Sequence, residues 1–264
     1  MPVARNGDVE IAYEVHGDGP PLLLIMGLGY ARWGWHVQIP ELSRDHRVIA
    51  MDNRGVGSST PVTDPYTVHD MADDAVAVLD DAGVDTANVL GVSLGGVIAQ
   101  SIAARYPQRV RTLFLLSTTH GGPAAVPVPA ETAAVMLDPA PELTPEQRIR
   151  RVMPLSFRPG WTEEHPEEFD RIVALRLAHV PSFDAYVAQA TAGGTADVTA
   201  ECASITAPTL VAHGTADRVV PVENAYMLAE RIEGARLEIL EGAGHLIMIE
   251  DPDWLHALIR EHRR

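Results

Sequence analysis

Residues 22–26 read Leu-Leu-Leu-Ile-Met, apolar without a break. A strand with one wet face alternates apolar and polar residues, whereas a strand covered on both faces of a sheet has no reason to. This run therefore predicts a strand buried on both sides, and largely apolar runs at residues 47–51, 88–92 and 110–116 predict more. Further strands are predicted at residues 9–15, 209–212 and 237–240. Between them lie segments with helical spacing. Residues 67–82 carry Met71, Ala75, Val78, Leu79 and Ala82 on one face and stop at Gly83, and residues 94–106 are ended by Pro107. Alternation of buried strands with helices predicts the α/β class: a mostly parallel sheet flanked by helices on both faces.

That alternation stops after the strand at residues 110–116. Residues 120–203 contain Pro-rich connections and helical stretches with no convincing strand. Thr144 followed by Pro145 is a helix start, with Thr144 as N-cap and Pro145 in the first turn. Helices are also expected over residues 166–179 and 182–192, the latter closed by Gly193-Gly194. The predicted organisation is a core of residues 1–119 and 204–264 interrupted by a helical cap, residues 120–203. A chain of 264 residues accommodates one domain with such an insertion.

Composition narrows the partners. All 20 basic residues are arginine, and 36 acidic residues leave a net charge of −16. Such a surface repels nucleic acid and anionic lipid, so neither is an expected partner, and the charge is read as a solubility feature. Cys202 is the only cysteine, so no internal disulfide is possible, and a small buried hydrophobe is its expected role. The first residues lack an apolar signal core and no run approaches 18 apolar residues, which makes a cytoplasmic location the expectation. No clustered His, Cys and acid pattern suggests a metal, and no cofactor motif is present. Oligomeric state is not legible.

The polar residue that needs explaining is Ser93, in Gly91-Val92-Ser93-Leu94-Gly95-Gly96. It falls where a buried strand meets a helix, at the carboxyl edge of the sheet where ligands collect. A strand that turns into a helix within one residue forces that residue into a strained conformation and pushes its side chain into the open. Side chains two places either side would then collide, which glycine at 91 and 95 avoids. The Leu94 N–H, unpaired at the helix start, points toward an oxygen held near Ser93. A phosphate loop is the competing reading of a Gly-rich turn. It is rejected because the Gly-Lys-Ser/Thr ending is missing and the chain has no lysine.

A serine hydroxyl is a weak nucleophile, so it needs a base, and the base needs an acid to fix its tautomer. Of 11 histidines, His245 directly follows the last strand, in Glu241-Gly242-Ala243-Gly244-His245. Asp217 follows the preceding strand, in His213-Gly214-Thr215-Ala216-Asp217. Ser93, Asp217 and His245 thus sit at three strand ends in the chain order of a nucleophile-elbow hydrolase. Asp52 and Arg54 also follow a strand and are expected to fix a turn.

These motifs, with Asp52-Asn53-Arg54-Gly55-Val56-Gly57-Ser58 and Gly244-His245, resemble landmarks of the α/β-hydrolase superfamily over essentially the whole chain. The resemblance implies Ser93 as nucleophile, His245 as base, Asp217 as orienting acid, and a second oxyanion donor in the loop after the third strand. That loop is Met26-Gly27-Leu28-Gly29, so the Leu28 N–H is the candidate beside that of Leu94. Many members carry histidine where this chain has Met26; the aclacinomycin methylesterases and 3-oxoadipate enol-lactonases, which it is similar to, do not. The expected activity is hydrolysis of a carboxylic ester or lactone of a small, largely apolar molecule through an acyl-enzyme, without metal or cofactor. A carbon–carbon bond hydrolase, a cofactor-free perhydrolase or haloperoxidase, and a hydrolase-derived small-molecule receptor are the alternatives. Trp33, Met136, Leu137, Leu155, Phe157, Trp161 and Tyr186 are the expected pocket residues.

Overall fold

The computed structural model describes residues 1–138 and 140–262 of the chain. Its centre is an eight-stranded sheet: β1 (Val3–Asn6), β2 (Val9–His16), β3 (Pro21–Ile25), β4 (Arg47–Met51), β5 (Ala87–Val92), β6 (Val110–Leu116), β7 (Thr209–Gly214) and β8 (Arg236–Leu240). The spatial order is β1-β2-β4-β3-β5-β6-β7-β8. β1 and β2 form an antiparallel hairpin, β2 runs antiparallel to β4, and all neighbours from β4 to β8 are parallel. Six strands therefore deliver their carboxyl ends to one edge.

The unbroken apolar runs follow from the pleat, which sends successive side chains to opposite faces. Leu23, Ile25, Ile49, Met51, Val89, Leu113, Leu115 and Val211 enter one core cluster. Helices Val68–Asp81, Leu94–Arg105 and Glu223–Arg231 cover that face. Leu22, Leu24, Val48, Ala50, Leu90, Val92, Phe114, Leu116, Leu210 and Ala212 enter the other, under helices Gln38–Leu42 and Pro252–His262. With both faces covered, the central strands are mostly apolar, and polar residues such as Asn88, Thr112, Thr209 and His213 are buried among them. β8 is the edge, only half-buried throughout, and its exposed row carries an Arg236–Glu238 pair at 2.6 Å, a charged rim of the kind that discourages edge pairing.

β1 is the strand that sequence reading missed. It is only four residues long and is held by a two-residue turn in which Gly7 has φ +61°, the positive value required at the first central position of a type II′ turn. The Gly7-Asp8 dipeptide was its available signal.

Between β6 and β7 the described chain forms helices Ala130–Leu137, Pro145–Val152, Trp161–Glu164, Pro166–Ala178, Phe183–Gly194 and Thr199–Cys202, with one antiparallel bridge, Gly121 to Asp197, across the base of the segment. Thr144 caps the second of these in a capping box with Gln147. Gly193 and Gly194 do not close their helix as expected; they form its last turn. Gly193 packs so near Leu94 that a Cβ there would lie 3.0 Å from Leu94 Cδ1, so its lack of a side chain serves close approach rather than termination. Among the described residues no helix is long and apolar enough to cross a membrane.

Candidate active site

Ser93 has φ 56° and ψ −123°, outside the ordinary basins of a side-chain-bearing residue. Such a conformation costs roughly 1–3 kcal/mol and persists only where its surroundings impose it. They do so here from both peptide neighbours. The Ser93 N–H donates to Leu116 O at 2.9 Å, while Ser93 O accepts from Thr118 Oγ1 at 2.6 Å and from the Gly96 N–H at 2.9 Å. The glycines have steric roles, but the expected collision of side chains 91 and 95 with one another is not the obstruction. A Cβ at Gly91 would lie 2.1 Å from the Gly95 carbonyl oxygen, and one at Gly95 would lie 2.2 Å from Ile25 O, at the end of β3. A Cβ at Gly96 would strike Thr118, 2.5 Å from its Oγ1. Each glycine clears backbone or a fixed side chain, so none can be enlarged by a rotamer change.

Leu94 is the first helical residue, so its N–H has no carbonyl one turn back to bond. The loop after β3 approaches from the other side. A Cβ at Gly27 would lie 3.0 Å from Ser93 Cβ and 3.5 Å from Ser93 Oγ, which places this backbone against the serine. Tyr30 N–H donates to Gly27 O at 3.2 Å, closing a four-residue turn around Leu28 and Gly29. Gly29 has φ +66° and Leu28 is not among the positive-φ residues, the combination of a type II turn.

Asp217 and His245 meet directly, with His245 Nδ1 2.7 Å from Asp217 Oδ2. Both are buried. The same carboxylate oxygen is 3.1 Å from Nε2 of His213, a residue of β7, and Oδ1 accepts the N–H groups of Val219 and Val220 at 2.8 and 2.9 Å. Burial by itself would raise the Asp217 pKa. The charge and hydrogen bonds offered by His245 and His213 outweigh it and hold the carboxyl well below the usual carboxylate range. The carboxylate form of Asp217 is thereby favoured, with Oδ2 set against His245 Nδ1. Among the described hydrogen bonds none joins Ser93 Oγ to His245.

Four residues that sequence reading did not single out hold this pair in place. Glu250 accepts the Gly244 N–H at 3.1 Å and the Arg158 N–H at 2.8 Å, with burial the main cause of its raised pKa. Arg218 donates to Pro154 O and Phe157 O at 2.5 and 3.0 Å, and the Leu246 N–H donates to Ser156 O at 2.9 Å. The segment 154–158 is thereby fastened to both the acid turn and the histidine turn. Only His213, four residues before Asp217, had a local spacing that could have flagged it; the others act across distances that no sequence pattern carries.

Asp52 does not compete for His245. Its buried carboxylate accepts the Arg32 N–H at 2.8 Å and the Ser58 N–H at 2.9 Å and pairs with the Arg32 guanidinium. Arg54 pairs with buried Asp74 at 2.6 Å. Both are turn-fixing residues.

The expected pocket residues scatter. Phe157 and Trp161 stack on each other at 4.2 Å inside the core cluster that includes Leu246 and Ile247; Phe157 is 0% exposed, so no surface of it is left for a ligand. That corrects their assignment: they pack the insertion onto the histidine turn. Trp33 lies beside Tyr30 and His179 and lines a cleft of about 300 Å³ with Glu14, His36 and Ile39, in which neither Ser93, Asp217 nor His245 takes part. Met136 is exposed and Leu155 half-buried. The side chain of Leu137 lies outside the described residues. Tyr186 is the one placed at the loop after β3: a Cβ at Gly29 would be 3.0 Å from its Cε2.

Comparison with known proteins agrees with this architecture. A sequence profile of the alpha/beta hydrolase fold matches residues 20–252. The 2-hydroxymuconate semialdehyde hydrolase of a Pseudomonas species is 32% identical over 89% of this chain and 83% of its own. The 3-oxoadipate enol-lactonase 2 of Acinetobacter baylyi is 30% identical over 93% and 90%. The solved structure of Est816, described as an N-acyl homoserine lactone degrading enzyme, superposes with a TM-score of 0.84 at 29% identity, covering 98% of this chain and 99% of its own. Sheet order, strand ends and these matches agree along nearly the whole length, and the chain belongs to the alpha/beta hydrolase fold family, as a hydrolase enzyme.

Proposed function

We propose that Ser93, His245 and Asp217 hydrolyse a carboxylic ester or lactone of a small molecule through an acyl-enzyme. The observation that carries the reading is the 2.7 Å Asp217–His245 bond, in a chain that also holds a serine in a strained conformation at the carboxyl end of β5, on the same edge of the sheet. In the reaction Ser93 Oγ adds to the ester carbonyl and His245 Nε2 takes its proton. The carbonyl oxygen becomes an oxyanion facing the Leu94 and Leu28 N–H groups. His245 then protonates the leaving alcohol, and water deprotonated by His245 cleaves the acyl-enzyme. Asp217 stays ionised and stabilises the imidazolium.

The helical insertion, residues 120–203, serves as a lid over the carboxyl edge, and the pocket lies between its helices and the strand ends. Tyr186 and Leu155 are its expected lining, with Trp33 outside it. The lactone-acting relatives support a small ester or lactone as substrate. The relative named 2-hydroxymuconate semialdehyde hydrolase keeps a carbon–carbon bond hydrolase on the same three residues as the second reading.

The test is a panel of p-nitrophenyl esters, lactones and vinylogous diketones offered to the purified protein and to Ser93→Ala. Ester or lactone turnover that disappears in the variant supports the proposal. Turnover confined to the diketones selects the second reading. Saturable binding with no turnover of any class would make the protein a receptor and refute both.

A further inference from the structure

The insertion reaches the oxyanion loop with a side chain that the reaction, as described so far, does not use. Gln189, on helix Phe183–Gly194, is fully buried. Its Oε1 accepts the Gly29 N–H at 2.6 Å, and its Nε2 donates to Arg54 O at 3.4 Å. A buried amide with each end committed to a different core loop is a brace between them, and the short bond is the one to the loop after β3.

What that bond fixes follows from peptide geometry. In the turn spanning residues 27–30, Gly27 O is held by the Tyr30 N–H. Carbonyl and N–H of one trans peptide point in opposite directions, so this bond also sets the direction of the Leu28 N–H. The turn persists only while Gly29 keeps its positive φ, and glycine alone has little preference for that value. The protein supplies the preference from the insertion. Gln189 holds the Gly29 N–H, Arg176 donates to Gly29 O, the Arg176 guanidinium lies 4.3 Å from the Tyr30 ring centre, and Tyr186 closes the space beside Gly29. The same helix meets the other oxyanion donor, since Gly193 packs on Leu94.

We infer that Gln189 is a positioning residue of the oxyanion hole: by bonding the Gly29 N–H it locks the turn that aims the Leu28 N–H at the substrate oxygen, so the hole is complete only with helix Phe183–Gly194 seated. This rests on the proposed function, in which Leu28 is a donor. A structural brace would change stability alone. A positioning residue changes stabilisation of the oxyanion more than it changes substrate binding.

The experiment compares wild type with Gln189→Met, which removes both bonds at similar volume, and with Gln189→Asn, which keeps a buried amide but withdraws it by one methylene. Two quantities are read: kcat and KM for a p-nitrophenyl ester, and the inhibition constant of an aryl trifluoromethyl ketone. Addition of Ser93 Oγ to that ketone turns its carbonyl oxygen into an oxyanion in the hole. Loss of a whole oxyanion donor costs about 10²–10³ in rate, so misaiming one is expected to lower kcat by about tenfold to a hundredfold. KM is expected to stay within about threefold, with the ketone inhibition constant rising in step with the fall in kcat/KM. Folded variants whose ketone affinity matches wild type overturn the inference, whatever happens to their melting temperature. If Gln189→Met does not fold, Gln189→Asn decides by the same two readouts. The wild type is the control for the reaction itself: if it is not inhibited by the ketone, the proposed function has failed, whereas an inhibited wild type with indifferent Gln189 variants sinks only the inference.

Discussion

The two walls of the candidate oxyanion site are built on opposite plans. The Ser93 wall is local: within six residues the chain leaves β5, turns through one strained residue and starts a helix, and its obstructions are carbonyls and side chains fixed by the sheet. The Leu28 wall is a loop whose shape depends on Gln189, Tyr186 and Arg176, residues far away in sequence. A strand end cannot move without tearing the sheet, but a loop braced by an insertion moves whenever the insertion does. In the proposed reaction the nucleophile is therefore held from within the sheet and the second donor from the insertion.

The largest expected effect breaks the first wall. Gly95→Val would put branched carbon where a Cβ alone lies 2.2 Å from Ile25 O, so the variant is expected to lose soluble folded protein or all measurable esterase activity. Full activity in a folded Gly95→Val protein would show that the elbow is not sterically fixed.

The next effect isolates the acid. Asp217→Asn is expected to keep the fold and lower turnover by about 10⁴-fold through the wrong imidazole tautomer, as in another triad enzyme. Asp52→Asn, which weakens the Arg32 pair and the bond from Ser58, is expected to act on melting temperature with kcat within about threefold. Measuring both quantities for both variants separates chemistry from scaffold. A folded, active Asp217→Asn beside a folded, inactive Asp52→Asn would reverse the assignment.

How much of this was legible follows from range. The central strands and the elbow were readable because each is encoded within about ten residues by apolar runs and glycine spacing, and Asp217 and His245 because each stands just after a strand. Phe157 and Trp161 were misassigned because an aromatic in a helical insertion has the same local pattern whether it faces a pocket or a core. Gln189, Glu250 and Arg218 were invisible because a lone polar residue on a helix or in a turn shows nothing of the distant backbone it bonds.

A smaller effect sharpens that lesson. Phe157→Ala is expected to cost about 3–5 kcal/mol of stability, because it empties a fully buried site, with KM little changed. A variant with wild-type melting temperature and a raised KM would return Phe157 to the pocket.

The smallest expected effect concerns His256, on the last helix. It is buried, and neither ring nitrogen has a hydrogen-bond partner among the described residues. Burial pushes its pKa below the ordinary histidine value, against the opposing charges of Glu41, Asp45 and Asp253 and helped by Arg260. The unfolded chain therefore binds this proton first, so the contribution is whole above about pH 6.5 and is lost as pH falls toward the lower folded value. His256→Leu is expected to flatten the fall in melting temperature between about pH 6.5 and pH 5 without affecting turnover. An unchanged slope would contradict this.

The most direct test of the central claim is covalent. The protein is treated with a fluorophosphonate probe, digested, and the modified residue located by mass spectrometry. The account predicts a single adduct on Ser93, absent in Ser93→Ala and formed orders of magnitude more slowly in Asp217→Asn, because only that serine combines the elbow with a tautomer-fixed histidine. An adduct on another serine, or labelling that survives Ser93→Ala, would contradict it.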